Sequence, residues 1–284
     1  MKVQGTPTIK HVAQAAGVST ATVSRVLAGK SNFSPEVRER VFAAVKELNY
    51  HPNRVARRLR SQQSSIIGLI VADIQNPFFT SVTRAVEDMA SEHRLSVFLC
   101  NTDENPQKEA MYLALMRDEN VAGVILAPTF QSSDSFHDSV KLDAPMVVID
   151  RRVGDADANV DSVLLDNAES AYRIVKHLLA DGRCRIGAIF GINSTTGRER
   201  REGYVRALRD HDLEPRPDLV TYAPARVEAG YGAALKLLNL PEPPDAIFTS
   251  SGLLSLGAYR ALRESRLKIP DQVGFANFDE TPWT

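Results

Sequence analysis

Polar residues follow several apolar, β-branched runs of the chain, at places where strands are expected to end. These polar stretches begin at Asp73, Asp150, Arg198, Ser250 and Phe278. A carboxylate accepts hydrogen bonds from hydroxyl groups, and a guanidinium donates a planar pair of hydrogen bonds to hydroxyl or carboxylate oxygens. The aromatic rings among these residues can cover an apolar ring face. Together, these residue types predict a binding site for a polar small molecule.

Strands and amphipathic helices alternate in the part of the chain that carries these residues. This alternation predicts parallel sheets covered by helices on both faces, in two lobes that divide near Asp166. Because ligands bind beyond the carboxyl ends of parallel strands, we expect the pocket in the cleft between the lobes. The predicted strands are 66–72, 95–101, 121–127, 146–150, 162–165, 186–191, 246–250 and 273–278, and the predicted helices are 78–93, 106–119, 167–180, 196–211, 227–238 and 253–265.

The N-terminal stretch from Thr8 to Leu27 predicts two short helices joined by a tight turn. Thr8 is placed as the N-cap of the first helix, and Gly17 follows it where a left-handed residue ends a helix. Ser19 then caps the second helix. The apolar stripes are Ile9, Val12, Ala13 and Ala16 in the first helix and Val23, Val26 and Leu27 in the second.

The outer face of the second helix is small, hydroxylic or basic. It carries Thr20, Ala21, Thr22, Ser24 and Arg25. In a DNA major groove, Thr and Ala methyl groups can meet thymine methyls and Arg can pair with guanine. Any pair of antiparallel helices can share the apolar stripes, so the DNA-binding interpretation depends on the surrounding sequence.

That surrounding sequence contains a third helix and a basic segment. Ser34, Pro35 and Glu36 form a helix start, and an apolar stripe from Val37 to Leu48 completes a small shared core. After a proline-containing break, residues 54–60 read RVARRLR. A helix of seven residues is too short to offset the free-energy cost of helix nucleation by itself, so we expect this segment to become ordered only against a partner.

The charge distribution separates the two parts of the chain. The 284 residues hold 34 Lys and Arg against 35 Asp and Glu. Residues 1–65 hold 11 basic and 3 acidic residues, which leaves 23 basic and 32 acidic residues in the remainder. This asymmetry predicts that the N-terminal part binds phosphate and that the remainder does not. A solvated basic face is the alternative.

Several protein classes are disfavoured by the sequence. Neither a signal segment nor an apolar run of membrane-spanning length is present, and the 2 cysteines have no metal-ligand spacing, so we expect a cytoplasmic protein without a cofactor or metal. The chain has no P-loop, nucleophile elbow or placed catalytic Ser/His/Asp set, so we predict that it is not an enzyme. A free solute-binding protein fits the C-terminal part but not the N-terminal helices.

The chain resembles the LacI/GalR family of repressors. The resemblance is carried by AxxAGVSxxTVSRVL, by NYxPN and by the following RVAxxL, and it continues through almost all of the remaining chain. It implies a small all-α helix-turn-helix head and an α/β body of two doubly wound parallel-sheet lobes, like the periplasmic binding proteins. The corresponding divisions are a head at 1–53, a hinge helix and linker at 54–65, and effector lobes at 66–166 and 167–284.

The resemblance also implies roles for individual residues in DNA binding. Thr20, Ala21 and Arg25 match the base-reading positions of the recognition helix, and Ala56 and Leu59 match hinge positions that enter the minor groove. Leu59 is the expected wedge that kinks DNA, with a core leucine as the alternative. The full set of predicted DNA contacts is Thr8, Ser19, Thr20, Ala21, Thr22, Ser24, Arg25, Asn53, Arg54, Ala56 and Leu59.

The matching effector positions lie at the predicted strand ends. Two alternatives stay open, because Asp150 can instead pair with a neighbouring arginine and Phe78 can belong to the core. Ser251 stands where the family often has an asparagine or aspartate, and the stretch from Ala223 lacks the aromatic residue found in several members. The predicted effector residues are Phe78, Phe79, Asp150, Arg200, Ser251 and Asp279.

The resemblance implies a repressor that binds a pseudo-palindromic operator as a homodimer. Its expected effector is a sugar or sugar acid, as for most family members, and regulation by a protein co-repressor is the alternative within the family. The sequence ends at Thr284, where members usually continue with further strands and a terminal helix. We therefore expect the last elements of the second lobe to be missing, and a DNA-binding but unregulated member is a further alternative.

Overall fold

A computed structural model describes residues 7–27, 29, 33–50, 64–129, 142, 144–152, 160–192 and 194–280. The predicted DNA contacts at Asn53, Arg54, Ala56 and Leu59 lie outside these residues, so their roles stay predictions. The chain divides into two compact units, Met1–Gln63 and Ser64–Thr284. In the described part of the chain, no helix combines the length and the apolar character needed to cross a membrane.

The described residues of the N-terminal unit form three helices, α1 (Ile9–Ala16), α2 (Thr20–Leu27) and α3 (Pro35–Glu47). Gly17 ends α1 with φ 64°, and the next amide, of Val18, donates to the Ala13 carbonyl at 3.0 Å. The Ser19 hydroxyl accepts from the Thr22 amide at 3.1 Å, which confirms the predicted cap of α2.

The core of this unit contains most of the predicted apolar stripes and also Tyr50, which follows α3 and belongs to no predicted stripe. Tyr50 is buried beside Val45, whose carbonyl accepts from the Tyr50 amide at 2.9 Å. Asn49, with φ 47°, turns the chain back so that Tyr50 reaches the core. A single aromatic residue that folds back after the end of a helix leaves no periodic signal in the sequence.

The first lobe of the C-terminal unit is built on a five-stranded sheet. Its spatial order is β2-β1-β3-β4-β5, and every pairing is parallel. Helices α4 and α5 follow β1 and β2, and apolar clusters occupy both faces of the sheet. The elements are β1 (Ile66–Val71), α4 (Pro77–Glu92), β2 (Ser96–Asn101), α5 (Pro106–Asp118), β3 (Gly123–Leu126), β4 (Met146–Ile149) and β5 (Asp161–Val163).

The second lobe is built on a four-stranded parallel sheet in the order β7-β6-β8-β9. Helices α6 and α7 cover one face and α8 and α9 the other, as the alternating sequence predicted. The elements are α6 (Asn167–Ala180), β6 (Ile186–Gly191), α7 (Thr195–Arg209), β7 (Val220–Ala223), α8 (Val227–Leu238), β8 (Ala246–Thr249), α9 (Gly252–Glu264) and β9 (Gly274–Asn277).

Two strands differ from the sequence-based expectation. Strand β7 was not predicted, because it is an edge strand of four residues whose Thr221 and Tyr222 break any apolar run. Strand β2 was predicted, but with both of its faces covered. It is an edge strand of the first sheet, and its Phe98 and Leu99 side chains are about 40% exposed. Edge strands lack a neighbour on one side, so their side-chain pattern reflects burial less strictly.

Candidate functional site

The outer face of the N-terminal helices presents the described residues predicted to contact DNA. Thr8, Ser19, Thr20, Ala21 and Arg25 are exposed, and Thr22 and Ser24 are partly exposed. The Ser19 hydroxyl also lies 2.9 Å from the Thr22 hydroxyl, so these two side chains are held by the start of α2. Thr20, Ala21 and Arg25 therefore form the free, outward surface of α2 that a groove would meet.

In the C-terminal unit, a cavity of about 640 Å³ lies where the carboxyl ends of the strands of both sheets come together. We call this cavity the cleft. It is lined by all of the predicted effector residues, Phe78, Phe79, Asp150, Arg200, Ser251 and Asp279.

Arg200 on α7 is a buried guanidinium in the wall of the cleft, with 7% of its surface exposed. Its Nε donates to Asn167 Oδ1 at 2.9 Å, and its Nη1 donates to the Ser250 carbonyl. Nη1 also lies 3.9 Å from Asp279 Oδ1, and the guanidinium carbon lies 3.6 Å from the centre of the Phe278 ring. Burial lowers the pKa of Arg200, and Asp279 opposes that effect.

Asp279 and Ser251 meet at the first turn of α9. Asp279 Oδ2 accepts from the Gly252 amide at 2.7 Å, so a residue after the last strand caps the start of this helix. Ser251, the N-cap residue, keeps its own hydroxyl buried without a hydrogen-bond partner among the described residues. A buried hydroxyl of this kind is a candidate for hydrogen bonding to a ligand.

Asp150, on the first lobe, pairs with its neighbour, which is the alternative that the sequence left open. Its Oδ2 accepts from Arg151 Nε at 3.2 Å, and Arg151 Nη1 donates to both carboxylate oxygens of Glu104 at 2.9 Å. Burial alone would lower the pKa of Arg151, but Glu104 and Asp150 outweigh it and raise that pKa. Asp150 also lines the cleft, so pairing with Arg151 does not remove it from the candidate site.

Phe78 and Phe79 are in the first turn of α4, which is capped by Asn76 at 3.1 Å from the Phe78 amide. Phe79 is buried in the first lobe, whereas 39% of Phe78 is exposed. The two rings contact edge to face at 5.0 Å between centroids. Phe79 therefore supports Phe78, and Phe78 presents the larger apolar surface to the cleft.

The cleft also contains residues that the sequence analysis did not assign. Asp103 and Glu104 line it from the loop after β2, and Arg226 lines it from the start of α8. A signal for the loop was present, because both Asn76-Pro77 and Asn105-Pro106 start a helix directly after a strand. The repeat of that pattern would have pointed to Asp103 and Glu104 as a second strand-end pair.

The electrostatics of the cleft are mixed. Helices α4, α5, α7, α8 and α9 all begin at the cleft, and each N-terminus contributes a partial positive charge. Carboxylates balance these dipoles and the cationic side chains. The charged side chains in the described lining are Asp73, Asp103, Glu104, Asp150, Glu228 and Asp279, with Arg151, Arg200 and Arg226.

Comparison with known proteins gives two family matches. Residues 8–53 match the bacterial regulatory proteins of the lacI family, and residues 64–280 match the periplasmic binding proteins and sugar binding domain of the LacI family. The chain is 38% identical over 276 residues to the ribose operon repressor of Halalkalibacterium halodurans, covering 97% of the chain and 81% of that protein. It is 34% identical over 273 residues to the transcriptional repressor PurR of Actinobacillus pleuropneumoniae, covering 96% and 81%.

Solved structures show the same architecture. A crystal structure of the lac repressor dimer bound to operator and an anti-inducer superposes with a TM-score of 0.86 at 26% identity, covering 98% of this chain and 84% of that one. A complex of the transcriptional regulator CelR with cellobiose gives a TM-score of 0.66 at 29% identity, covering 95% and 81%. The chain therefore belongs to the LacI family of bacterial regulatory proteins, with the helix-turn-helix region at residues 8–53 and the periplasmic-binding-protein-like domain at residues 64–280.

Proposed function

We propose that this protein is a transcriptional repressor whose binding to operator DNA is controlled by a small molecule in the cleft. The observation that carries the proposal is the convergence of Arg200, Asp150 and Asp279 on one cavity, in a chain whose N-terminal unit exposes the outer face of a helix-turn-helix. The family of this chain joins such a unit to a sugar-binding domain.

On the DNA side, α2 enters the major groove with Thr20, Ala21 and Arg25 facing the bases. Ala56 and Leu59 act in the minor groove at the operator centre, where the Leu59 side chains of two subunits bend the DNA. The repressor acts as a homodimer. Each subunit recognises one half-site, so the two identical subunits together recognise a pseudo-palindromic operator. The lac repressor structure, a dimer bound to its operator, supports this arrangement.

On the effector side, the lining favours a polyhydroxylated ring over a purine. Carboxylates, Arg200 and the unpartnered Ser251 hydroxyl offer both acceptors and donors to hydroxyl groups. Phe78 and Phe79, both on the first lobe, are the aromatic residues of the described lining, and the second lobe contributes Pro224 and Ala225 but no aromatic ring. A flat base would thus be stacked from one side only, so we propose a sugar or sugar acid as the effector.

The remaining assignments complete this proposal. The divisions are the head at 1–53, the hinge at 54–65 and the lobes at 66–166 and 167–284. The cleft binds its ligand without catalysing a reaction, in keeping with relatives that are repressors. The protein acts in the cytoplasm, where it meets chromosomal DNA.

The test is an operator titration with a matched pair of variants. An operator selected from a random pseudo-palindromic library is footprinted, and binding is titrated with D-ribose, D-galactose, D-gluconate and hypoxanthine. We expect a symmetric footprint that a carbohydrate weakens, because effector binding in the cleft favours a lobe arrangement that releases the hinge. Arg25→Ala should remove the operator footprint and leave ligand binding intact. Arg200→Met should remove ligand binding and leave the operator footprint intact.

Each part of the proposal can fail separately. Tighter operator binding in the presence of a carbohydrate would overturn the proposal that the effector releases the repressor from its operator. A response to hypoxanthine alone would overturn the carbohydrate assignment. An asymmetric, salt-sensitive and sequence-blind footprint would overturn operator recognition.

A further inference from the structure

Asn167 is a buried amide directly behind the cleft wall. Only 3% of its surface is exposed, and it contacts both Arg200 and Glu199 of α7. Its Oδ1 accepts from Arg200 Nε at 2.9 Å, and its Nδ2 donates to Glu199 Oε2 at 2.7 Å. Neither Asn167 nor Glu199 is in the described lining of the cleft, and the hydrogen bond from Arg200 to Asn167 connects the pair to a residue that is.

This contact leaves Arg200 little freedom to rotate. Asn167 holds the Nε end of the guanidinium, the Ser250 carbonyl holds Nη1, and the Phe278 ring covers one face at 3.6 Å. Nη2 has no hydrogen-bond partner among the described residues, and Arg200 lines the cleft. The constrained guanidinium therefore presents a prepared donor group to the cavity, which lowers the entropic cost of ligand binding.

Asn167 also occupies a special place along the chain. It is the first residue of α6, immediately after the segment 164–166 that passes from β5 of the first lobe to the helices of the second. Asp166 caps this helix through the Glu169 amide at 2.9 Å. A second cavity, of about 410 Å³, is lined by Leu164, Leu165, Glu199 and Asn167. Movement of the connection between the lobes thus moves the group that orients Arg200.

We propose that Asn167 is a positioning residue for the effector, which holds the Arg200 guanidinium in its ligand-binding orientation and connects it to the segment joining the lobes. The inference rests on the proposed function, because it assigns a further residue to the same cleft. A purely structural asparagine would satisfy buried partners without affecting how Arg200 meets a ligand, and the two roles make different predictions.

A charge-preserving exchange separates these roles. In Asn167→Asp, a carboxylate faces Glu199 at the former hydrogen-bond distance, so the amide donor is lost and two carboxylates repel. Adding Glu199→Gln restores the pair with its polarity reversed, because the new amide at position 199 donates to the new carboxylate at position 167, which still accepts from Arg200. The double variant has the same net charge as the natural pair. Asn239→Asp, on the exposed end of α8, serves as the control for the change from amide to acid.

Two readouts are measured on the full chain. The first is the Nε–H resonance of Arg200 in protein labelled with ¹⁵N-arginine, without ligand, assigned by its absence in Arg200→Lys. The second is the dissociation constant for D-ribose by calorimetry. We expect Asn167→Ala, which removes the acceptor, to lose the slowly exchanging Nε–H signal and to weaken D-ribose binding by roughly tenfold to a hundredfold, as for loss of a hydrogen bond to a charged group. Asn167→Asp keeps an acceptor for Arg200, but repulsion from Glu199 displaces it, so we expect a weaker signal and weaker D-ribose binding than in the wild type.

The double variant Asn167→Asp/Glu199→Gln should recover the protected signal and most of the affinity, and Asn239→Asp should change neither. The proposal is overturned if the Nε–H signal survives in Asn167→Ala, or if the double variant is no better than Asn167→Asp. Failure of the wild-type protein to bind any carbohydrate would instead overturn the proposed effector class. The ligand-free resonance still tests whether Asn167 holds the Arg200 guanidinium, whatever the effector class.

Discussion

Replacing Gly257 with alanine is expected to destabilise the second lobe and distort the cleft. Gly257 lies in α9 at the point where this helix crosses α8. A Cβ atom there would lie 1.9 Å from the Val227 carbonyl oxygen and 2.5 Å from the Tyr231 amide nitrogen. Both are backbone atoms of α8, so no side-chain rotation can relieve the overlap.

The size of the effect follows from these distances. An ordinary contact begins at 3.4 Å, so the two helices must separate by about 1.5 Å at the crossing. Over-packing of a close-packed interior costs roughly 1–3 kcal/mol and occasionally more. We expect a loss of about 3 kcal/mol here, because the conflict is between two backbones. In a domain of this size, that loss lowers Tm by about 6–12 °C.

The displacement also reaches the ligand site, because Val227 itself lines the cleft beside Arg226 and Glu228. Separation of the helices moves this wall of the cavity away from Ser251 at the start of α9. We therefore expect Gly257→Ala to weaken carbohydrate binding as well as stability. The N-terminal unit does not contain this crossing, so binding to the operator without effector should survive below the lowered Tm.

A matched control exists in the same pair of helices. Gly232 lies in α8, and a Cβ atom added there would meet nothing within 4 Å. Gly232→Ala should raise stability by about 0.5–1 kcal/mol, since alanine favours the helix. Circular dichroism during thermal and urea unfolding measures both variants. If Gly257→Ala unfolds at the wild-type temperature, or if both alanine variants shift in the same direction, the close-crossing argument is wrong.

Three further predictions concern the two units separately. Arg25→Ala should weaken operator binding by about 1–3 kcal/mol and relax specificity at one base position. Binding measured on operators that carry single base changes checks this, and equal weakening on every sequence would contradict base reading by Arg25. Arg200→Lys keeps the charge but loses the donor to Asn167 and the flat contact with Phe278, so calorimetry should show carbohydrate binding about tenfold weaker or more, with unchanged operator binding in the absence of effector. Burial raises the pKa of the Cys100 thiol whereas Cys184 is exposed, so iodoacetamide at neutral pH should modify Cys184 first, and equal rates by mass spectrometry would refute this.

Much of the local structure could be predicted from the residues alone. The Gly17 turn, the Ser19 cap and the alternation of apolar strands with amphipathic helices are local patterns, and the structure reproduces each of them. The convergence of Asp150, Arg200 and Asp279 on one cavity could also be predicted, because parallel strands bring their carboxyl ends to one side of a sheet. The family motifs lie in these same local stretches.

Other features depend on contacts between residues that are far apart in the chain. The Glu104–Arg151 pair and the Asn167–Arg200 hydrogen bond join positions 47 and 33 residues apart. The backbone crossing at Gly257 also depends on where two helices meet, which neither helix encodes in its own periodicity.

The sequence by itself determined most of the elements, their order and the residue types at the strand ends, because these follow from short-range propensity and burial pattern. Only the tertiary structure decided which of those residues hold one another in place. Arg151 donates to Glu104, and Arg200 donates to Asn167. Such contacts arise when the packed sheets and helices bring distant side chains within hydrogen-bonding distance, and no local pattern records that distance.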